Sequence, residues 1–258
     1  DVEEERLELA VEDLRKYQFR VSGVVADVLV EESIQNLFAR AKAEHGNIHM
    51  LCSNAGVGAN SGHKAIWEVG KKDWDWVMGV NYQGVLHGFQ TFIPHMVEHG
   101  EESHLMTTVS LAGLLPGSGT YGVSKHAVMA LTEATRNDLL ARGANVSVSA
   151  LCPGFVDTNI DKSERNRPGY LTHPEVSPDE SVISPVSQLL RRGKQPSEIA
   201  DIVFEAIKKG IFYILPHPAW DEMLRDRFDQ MLSREPLPTP SADEMARIFM
   251  PRDDGESY

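Results

Sequence analysis

Tyr121 and Lys125 stand four residues apart in Tyr121-Gly122-Val123-Ser124-Lys125. On a helix that spacing projects both side chains from one face. A lysine ammonium beside a phenol favours the phenolate and lowers the tyrosine pKa from about 10 toward working pH. A phenol tuned that way acts as general acid or base on an alcohol or a carbonyl. Taken alone, Tyr-x-x-x-Lys is a weak signal that also arises as helix-surface decoration. Three further features accompany it: Asn54-Ala55-Gly56, Ser110 and Pro153-Gly154. All four fall at the C-terminal ends of segments that read as strands, which is where open α/β sheets place their sites.

The elements that must hold these residues alternate. Apolar positions at helical spacing run from 3 to about 17, with acids in the first turn, and again over 31–45. A β-rich run over 20–26 separates them, and an apolar strand over 48–52 breaks into Asn54. Residues 73–99 read as helix interrupted at Pro94, 105–109 as strand, 121–141 as helix and 146–151 as strand. Helix 197–209, strand 211–215 and helix 219–232 follow. The strands are apolar throughout, the pattern of a parallel sheet covered by helices on both faces. The expected fold is therefore α/β, a Rossmann-like doubly wound parallel sheet. The chain reads as one domain over 1–258, with 155–196 a long substrate-side loop rich in Pro, Ser, Arg and Glu, and 233–258 a Pro-rich tail with a weak amphipathic turn near Met245.

Composition narrows the partners. The 258 residues carry 25 Lys+Arg against 38 Asp+Glu, a formal net charge of −13, and the basic pairs Lys71-Lys72, Arg191-Arg192 and Lys208-Lys209 are isolated. Such a chain repels phosphate backbones, so nucleic-acid and anionic-membrane partners are not expected. No run approaches the roughly 18 apolar residues of a membrane span. Cys52 and Cys152, both in apolar runs, read as inert buried thiols of a reducing compartment, and the expected location is the cytoplasm. His95 and His99 have helical zinc-ligand spacing but no third ligand, and read as surface histidines; no metal is expected. Trp67, Trp74 and Trp76 read as core or pocket wall, and Glu3-Glu4-Glu5 as a solvated helix start.

In order along the chain, these features resemble the short-chain dehydrogenase/reductase family from Asp1 to about Leu215. The resemblance implies a role for each matching residue. Asn54-Ala55-Gly56 is similar to the turn that supports the sheet centre and the cofactor, and Asn81 to the asparagine whose backbone holds a relay water. Ser110 corresponds to the serine holding the substrate oxygen, Tyr121 to the acid/base, and Lys125 to the lysine that binds the nicotinamide ribose. Pro153, Gly154, Val156 and Thr158 match the segment flanking the nicotinamide; Asp27 and Val28 sit where the family contacts adenine. Asp1 looks like the acid that takes the adenosine ribose hydroxyls, which favours NAD over NADP. The implied activity interconverts a secondary alcohol and a ketone. The segments 80–85 and 208–218 further resemble a bacterial branch that includes Cα-dehydrogenases of lignin aryl ethers, so a bulky or aromatic alcohol is the expected substrate. Phe155, Tyr170, Phe212, Tyr213 and Trp220 are candidates to line its pocket. Helices 81–99 and 121–141 are the expected faces of a homodimer or homotetramer.

The sequence departs from the family in two places. Ser110 and Tyr121 are eleven apart, about two fewer than the family pattern, and no G-x-G-x-x-G follows a strand. The family's first βαβ unit is expected upstream of Asp1. Without its central first strand, the 20–26 run must pair with 48–52 directly or lose its ladder. Two alternatives stay open: a non-catalytic binding or assembly protein that lacks the phosphate turn, and a carbonyl reductase preferring NADPH.

Overall fold

Four parallel strands form the sheet of this computed structural model, which describes residues 1–58, 64–172 and 185–237. They are β1 (Met50–Ser53), β2 (Ser103–Thr108), β3 (Val146–Leu151) and β4 (Tyr213–Ile214), in spatial order β1-β2-β3-β4. The register pairs Leu51 with Leu105, Leu105 with Val148, and Ala150 with Tyr213. Helices connect the strands: α1 (Glu4–Arg15), α2 (Glu31–His45), α3 (Lys71–Met78), α4 (Gly84–His99), α5 (Gly119–Ala141), α6 (Pro185–Arg191), α7 (Pro196–Lys208) and α8 (Asp221–Ser233).

Successive strand residues face opposite sides, and the core divides accordingly. Leu105, Val148, Ala150 and Cys152 pack against Val85, Phe89 and Met96 of α4 and Val128 and Met129 of α5. Met106, Leu151 and Ile214 pack on the other face against Ile199, Val203 and Ala206 of α7. The fold is thus a Rossmann-like α/β sheet with helices on both faces. Local chemistry sets several ends. Pro196 opens α7, where the Glu198 carboxylate accepts the Gln195 N–H at 2.7 Å, and α4 stops at Gly100, whose φ of +68° suits glycine.

Some expectations need correcting. The 20–26 run forms no strand and joins no ladder. It is tied sideways instead: the Ala26 N–H donates to the Asp1 carbonyl, Arg20 to the Glu44 carbonyl, and Ser22 hydrogen-bonds His45 at 2.9 Å. Leu7 and Val11 of α1 pack on Gly23. With one edge of β1 unpaired among the described residues, Cys52 on that strand is exposed, whereas Cys152 beyond β3 is buried. Pro94 lies inside α4 without breaking it, since it deletes one bond of the ladder. The irregularity falls earlier, in a π turn over Gly79–Gln83. His95 is buried: its Nε2 accepts the Ile48 N–H, and His99 Nε2 bonds the Ile48 carbonyl, so the pair anchors the chain entering β1. Trp76 is core at 1% exposure, but Trp67 is 83% exposed.

The 155–196 segment contains short helical turns over Ile160–Asn166 and Gly169–Leu171, and α6. Ion pairs hold it: Arg165 to Glu3, Arg167 to Asp73 and Glu164, and Arg191 to Asp157. Glu3 is therefore a partner of that loop rather than a solvated helix start. Its carboxyl is pulled down to about 2 by hydrogen bonds from Arg165 and Asn166. The turn near Met245 lies outside the described residues.

Candidate active site

The strand ends bring four segments together. β2 delivers Thr108 and Ser110; β3 ends in Cys152-Pro153-Gly154; β1 ends in Asn54-Ala55-Gly56; and the first turns of α5 carry Tyr121, Ser124 and Lys125. Lys125 is 3% exposed, with its Nζ donating to the Thr108 carbonyl at 3.0 Å and lying 5.6 Å from the centre of the Tyr121 ring. The Thr108 hydroxyl in turn donates to Asn54 Oδ1 at 2.7 Å. A Cβ on Gly56 would lie 3.5 Å from Lys125 Nζ, so glycine keeps that approach open.

Asn81 lies in the π turn and is wholly buried. Its Oδ1 accepts the Val57 N–H at 2.8 Å, and its Nδ2 donates to the Val57 carbonyl and to Ser124 Oγ, both at 3.0 Å. The side chain thus joins the exit of β1 to α5, spending its capacity on structure.

Ser110 has φ +120° and ψ 155°, a region almost reserved for glycine that costs a side-chain-bearing residue about 1–3 kcal/mol. The flanking backbone imposes it. Val109 N–H donates to the Leu151 carbonyl at 2.7 Å and Leu111 N–H to the Pro153 carbonyl at 2.9 Å, while Ser110 Oγ accepts the Ala112 N–H at 3.2 Å. Tyr121 retains some exposed surface, but burial raises its pKa and the Ser110 hydroxyl pulls it the other way. The lowering expected from Lys125 is not among the causes of this shift. Burial also pushes Lys125 down to about 8 and the Cys152 thiol up to about 12, which keeps that thiol protonated.

The short connection from Ser110 to Tyr121 is closed by glycines. Gly117, Ser118 and Gly119 all have positive φ, and a Cβ on Gly122 would lie 2.0 Å from the Gly117 carbonyl oxygen. Gly117-Ser118-Gly119-Thr120-Tyr121-Gly122 has the G-x-G-x-x-G spacing, yet its glycines serve the entry to α5 after the Leu111–Gly113 turn rather than a strand-to-helix phosphate loop.

The short chain dehydrogenase family model matches residues 1–169. The chain belongs to this family. A Cα-dehydrogenase of Sphingobium sp. strain SYK-6 is 31% identical over 235 residues, covering 90% of this chain and 75% of that protein. A CLA biosynthesis dehydrogenase/reductase of Lactiplantibacillus plantarum is 30% identical over 240 residues, 90% of this chain and 83% of that protein. A crystal structure of a short-chain dehydrogenase/reductase from Burkholderia phymatum in complex with NAD is 41% identical, with a TM-score of 0.84 over 93% of this chain and 87% of that one.

Within the short-chain dehydrogenase frame, the remaining expected residues divide. Val156 forms a parallel bridge with Lys194, and Thr158 sits half-buried just beyond Asp157, the partner of Arg191. Asp27 and Val28 lie at the start of α2: Asp27 Oδ1 accepts the Leu29 N–H, and Val28 packs on Gly84. Asp1 is exposed, and its Oδ1 accepts the Glu3 N–H. Of the aromatic candidates, Phe155 and Trp220 pair beside Gly154, their ring centres 6.0 Å apart. Phe212 packs with the core, Tyr213 bonds Glu133 on α5, and Tyr170 is exposed. A groove of about 510 Å³ between α7 and β4, lined by Asp201, Glu205 and Lys209, lies along the outer strand and holds none of the expected catalytic residues. Two contributors escape a reading of the sequence, Thr108 and His217. The prolines on both sides of His217 are the available signal.

The residues present fit the nicotinamide-ribose end of a dinucleotide. Among the described residues Lys125 spends one of its three N–H donors, on Thr108, and Gly56 leaves room beside the ammonium.

Proposed function

We propose that this chain is an NAD(P)-dependent oxidoreductase that interconverts a secondary alcohol and a ketone. The observation carrying the proposal is the convergence of Ser110, Tyr121 and Lys125, with Ser110 held in a conformation that only its hydrogen-bonded flanks sustain. Such strain persists where function retains it. When bound, the nicotinamide supplies the hydride acceptor or donor. Tyr121 takes the alcohol proton during oxidation and returns it during reduction. Ser110 donates to the substrate oxygen, where charge develops in the transition state. Lys125, with its free donors, orients the ribose hydroxyls, and its positive charge opposes the effect of burial on Tyr121 once the site is organised. Asn81 holds the β1 exit against α5, so that Asn54, Ala55 and Gly56 form the floor beneath the cofactor.

The same reading gives Pro153, Gly154, Val156 and Thr158 the nicotinamide side, Asp27 and Val28 the adenine, and Asp1 the adenosine ribose. An acid at that ribose favours NAD over NADP, and the 41% identical relative in complex with NAD supports this choice. The apolar wall of Leu111, Leu115, Phe155 and Trp220 beside Ser110 suits a bulky or aromatic alcohol, in keeping with the relative named a Cα-dehydrogenase. The chain acts as one domain, with 155–196 as its substrate loop. Exposed Val97, Val123 and Leu140 on α4 and α5 support pairing with a second copy, and two free cysteines support a cytoplasmic setting.

A non-catalytic binding role is the second reading, and it makes the opposite prediction for nucleotide affinity. Titration with NADH and NADPH, read by energy transfer from tryptophan, separates the two. Saturable NADH binding, followed by NAD-dependent oxidation of a benzylic secondary alcohol, is the expected result. Absence of binding to either nucleotide favours the binding role.

A further inference from the structure

His217 stands between β4 and α8, far along the chain from Ser110 and Tyr121, yet it is buried against the turn that ends β3. The Gly154 N–H donates to His217 Nδ1 at 3.1 Å, and His217 Nε2 bonds the Phe155 carbonyl at 3.0 Å. A backbone N–H only donates and a carbonyl only accepts, so these two bonds assign the tautomer: Nδ1 bare, Nε2 protonated. Burial lowers the histidine pKa, keeping the ring neutral; Lys194 acts in the same direction, the Phe155 carbonyl and Glu198 against it. The contact is tight, since a Cβ on Gly154 would lie 3.3 Å from His217 Cγ and 3.2 Å from Trp220 Nε1. Pro216 and Pro218 flank the histidine, which limits the backbone that presents it.

The turn at 153–155 has few other ties of its own. The Pro153 carbonyl accepts the Leu111 N–H and, at 3.4 Å, the Ser110 hydroxyl, and the Phe155 carbonyl also accepts the Lys194 N–H at 3.2 Å. The Gly154 N–H ends on the imidazole. Without His217, that N–H is left facing an apolar wall, which costs about 1–3 kcal/mol or a change of backbone.

We propose that His217 is a positioning residue for the nicotinamide-side turn, holding Gly154 and Phe155 through one accepted and one donated hydrogen bond so that the turn receives the cofactor's nicotinamide end. This rests on the nicotinamide-binding role proposed for the site. It adds a residue that acts through the turn and touches no reacting atom. The two ring nitrogens divide the work, Nδ1 fixing Gly154 and Nε2 fixing the carbonyl of Phe155.

The test uses the whole 258-residue chain and the variants H217N, H217Q and H217L. Asparagine reaches the Nδ1 position with an amide oxygen, and glutamine reaches the Nε2 position with an amide nitrogen. Hydrogen exchange of the Gly154 amide needs no ligand. It is expected to stay slow in H217N and to become fast in H217Q and H217L. Affinities for NADH and ADP-ribose form the second readout, because ADP-ribose lacks the nicotinamide. H217L is expected to weaken NADH by about tenfold and to leave ADP-ribose within about twofold, with H217N restoring most of the loss. A merely structural role would weaken both ligands in parallel, and that result overturns the proposal. Equal Gly154 exchange in the wild type and H217Q also overturns it. If H217L does not fold, the H217N and H217Q pair carries the same comparison. A wild type that binds NADH no better than ADP-ribose removes the reading on which the proposal rests; Gly154 exchange still reports separately whether the clamp exists.

Discussion

The centre of the sheet and its β1 side are built from similar apolar runs and end differently. Residues 146–151 become β3, paired with β2 on one side and β4 on the other, and covered by helices on both faces. Residues 20–26 are as rich in valine, yet they form no ladder, and Val25 is about half exposed. β1, paired on one side only among the described residues, alternates exposed and half-buried positions. A strand is therefore a property of a set of neighbours. An apolar run supplies side chains for a face, but the backbone bonds come from whatever lies alongside it. The residues proposed for the proton transfer gather on the well-paired side. Ser110, Lys125 and Gly154 hang from β2, α5 and β3, where the scaffold is stiff enough to hold a strained serine.

This contrast can be broken or sharpened experimentally. The largest effect is expected at the proposed catalytic cluster: Tyr121→Phe should lower the turnover of an accepted alcohol by about 10²–10⁴-fold while leaving the melting temperature near that of the wild type. Equal turnover would remove Tyr121 from the proton path. In the core, Leu105→Ala at the fully buried centre of β2 should cost about 3 kcal/mol in denaturant unfolding, and Met50→Ala on β1 less than about 0.5 kcal/mol. Similar costs at both positions would show that the β1 edge is as well packed as the centre.

Ser110 offers a sharper probe. Ser110→Gly relieves the strain at φ +120° and should gain about 1 kcal/mol of stability while activity is lost; Ser110→Ala should lose activity with no such gain. The pH dependence of Lys125 follows from its depressed pKa. NADH affinity is expected to fall as pH rises through about 8, when the ammonium deprotonates. Stability should move the other way. Burial disfavours the charged form in the folded state, so the lysine's contribution improves between about 8 and the ordinary value of 10.5. Opposite trends in titration and melting would separate loss of binding from unfolding. The smallest effect belongs to the loop anchor. Glu3, depressed to about 2, contributes above its ordinary value of 4.5, and its contribution fades as pH falls toward about 2. Glu3→Gln should flatten that part of the acid-stability curve.

Much of the architecture was legible in the residues. The helices over 31–45 and 197–209 appear within a residue or two, because their apolar stripes and end signals agree with their packing. The grouping of Ser110, Tyr121 and Lys125 could be read from spacing and strand order. Less legible were the histidines. His95 at i and His99 at i+4 look like ligands or surface decoration, and only the arrival of Ile48 beside them makes them backbone anchors. Pro216 and Pro218 mark His217 locally, but its partner Gly154 lies 63 residues earlier in the chain, so the bond itself could not be read. The Tyr121 pKa was likewise out of reach, because burial around the phenol, which raises it, exists only in the folded chain.

The sequence by itself determined the alternation of helix and strand and which side chains stand at the strand ends, since periodicity and spacing are local and survive without neighbours; its ordered motifs carried the resemblance to the family. The tertiary structure alone decided which apolar run becomes a strand, that Ser110 is held at a positive φ, and that His217 closes on the Pro153-Gly154-Phe155 turn. Those outcomes depend on hydrogen bonds and burial between segments distant in the chain, and such contacts exist only once the sheet has brought those segments together.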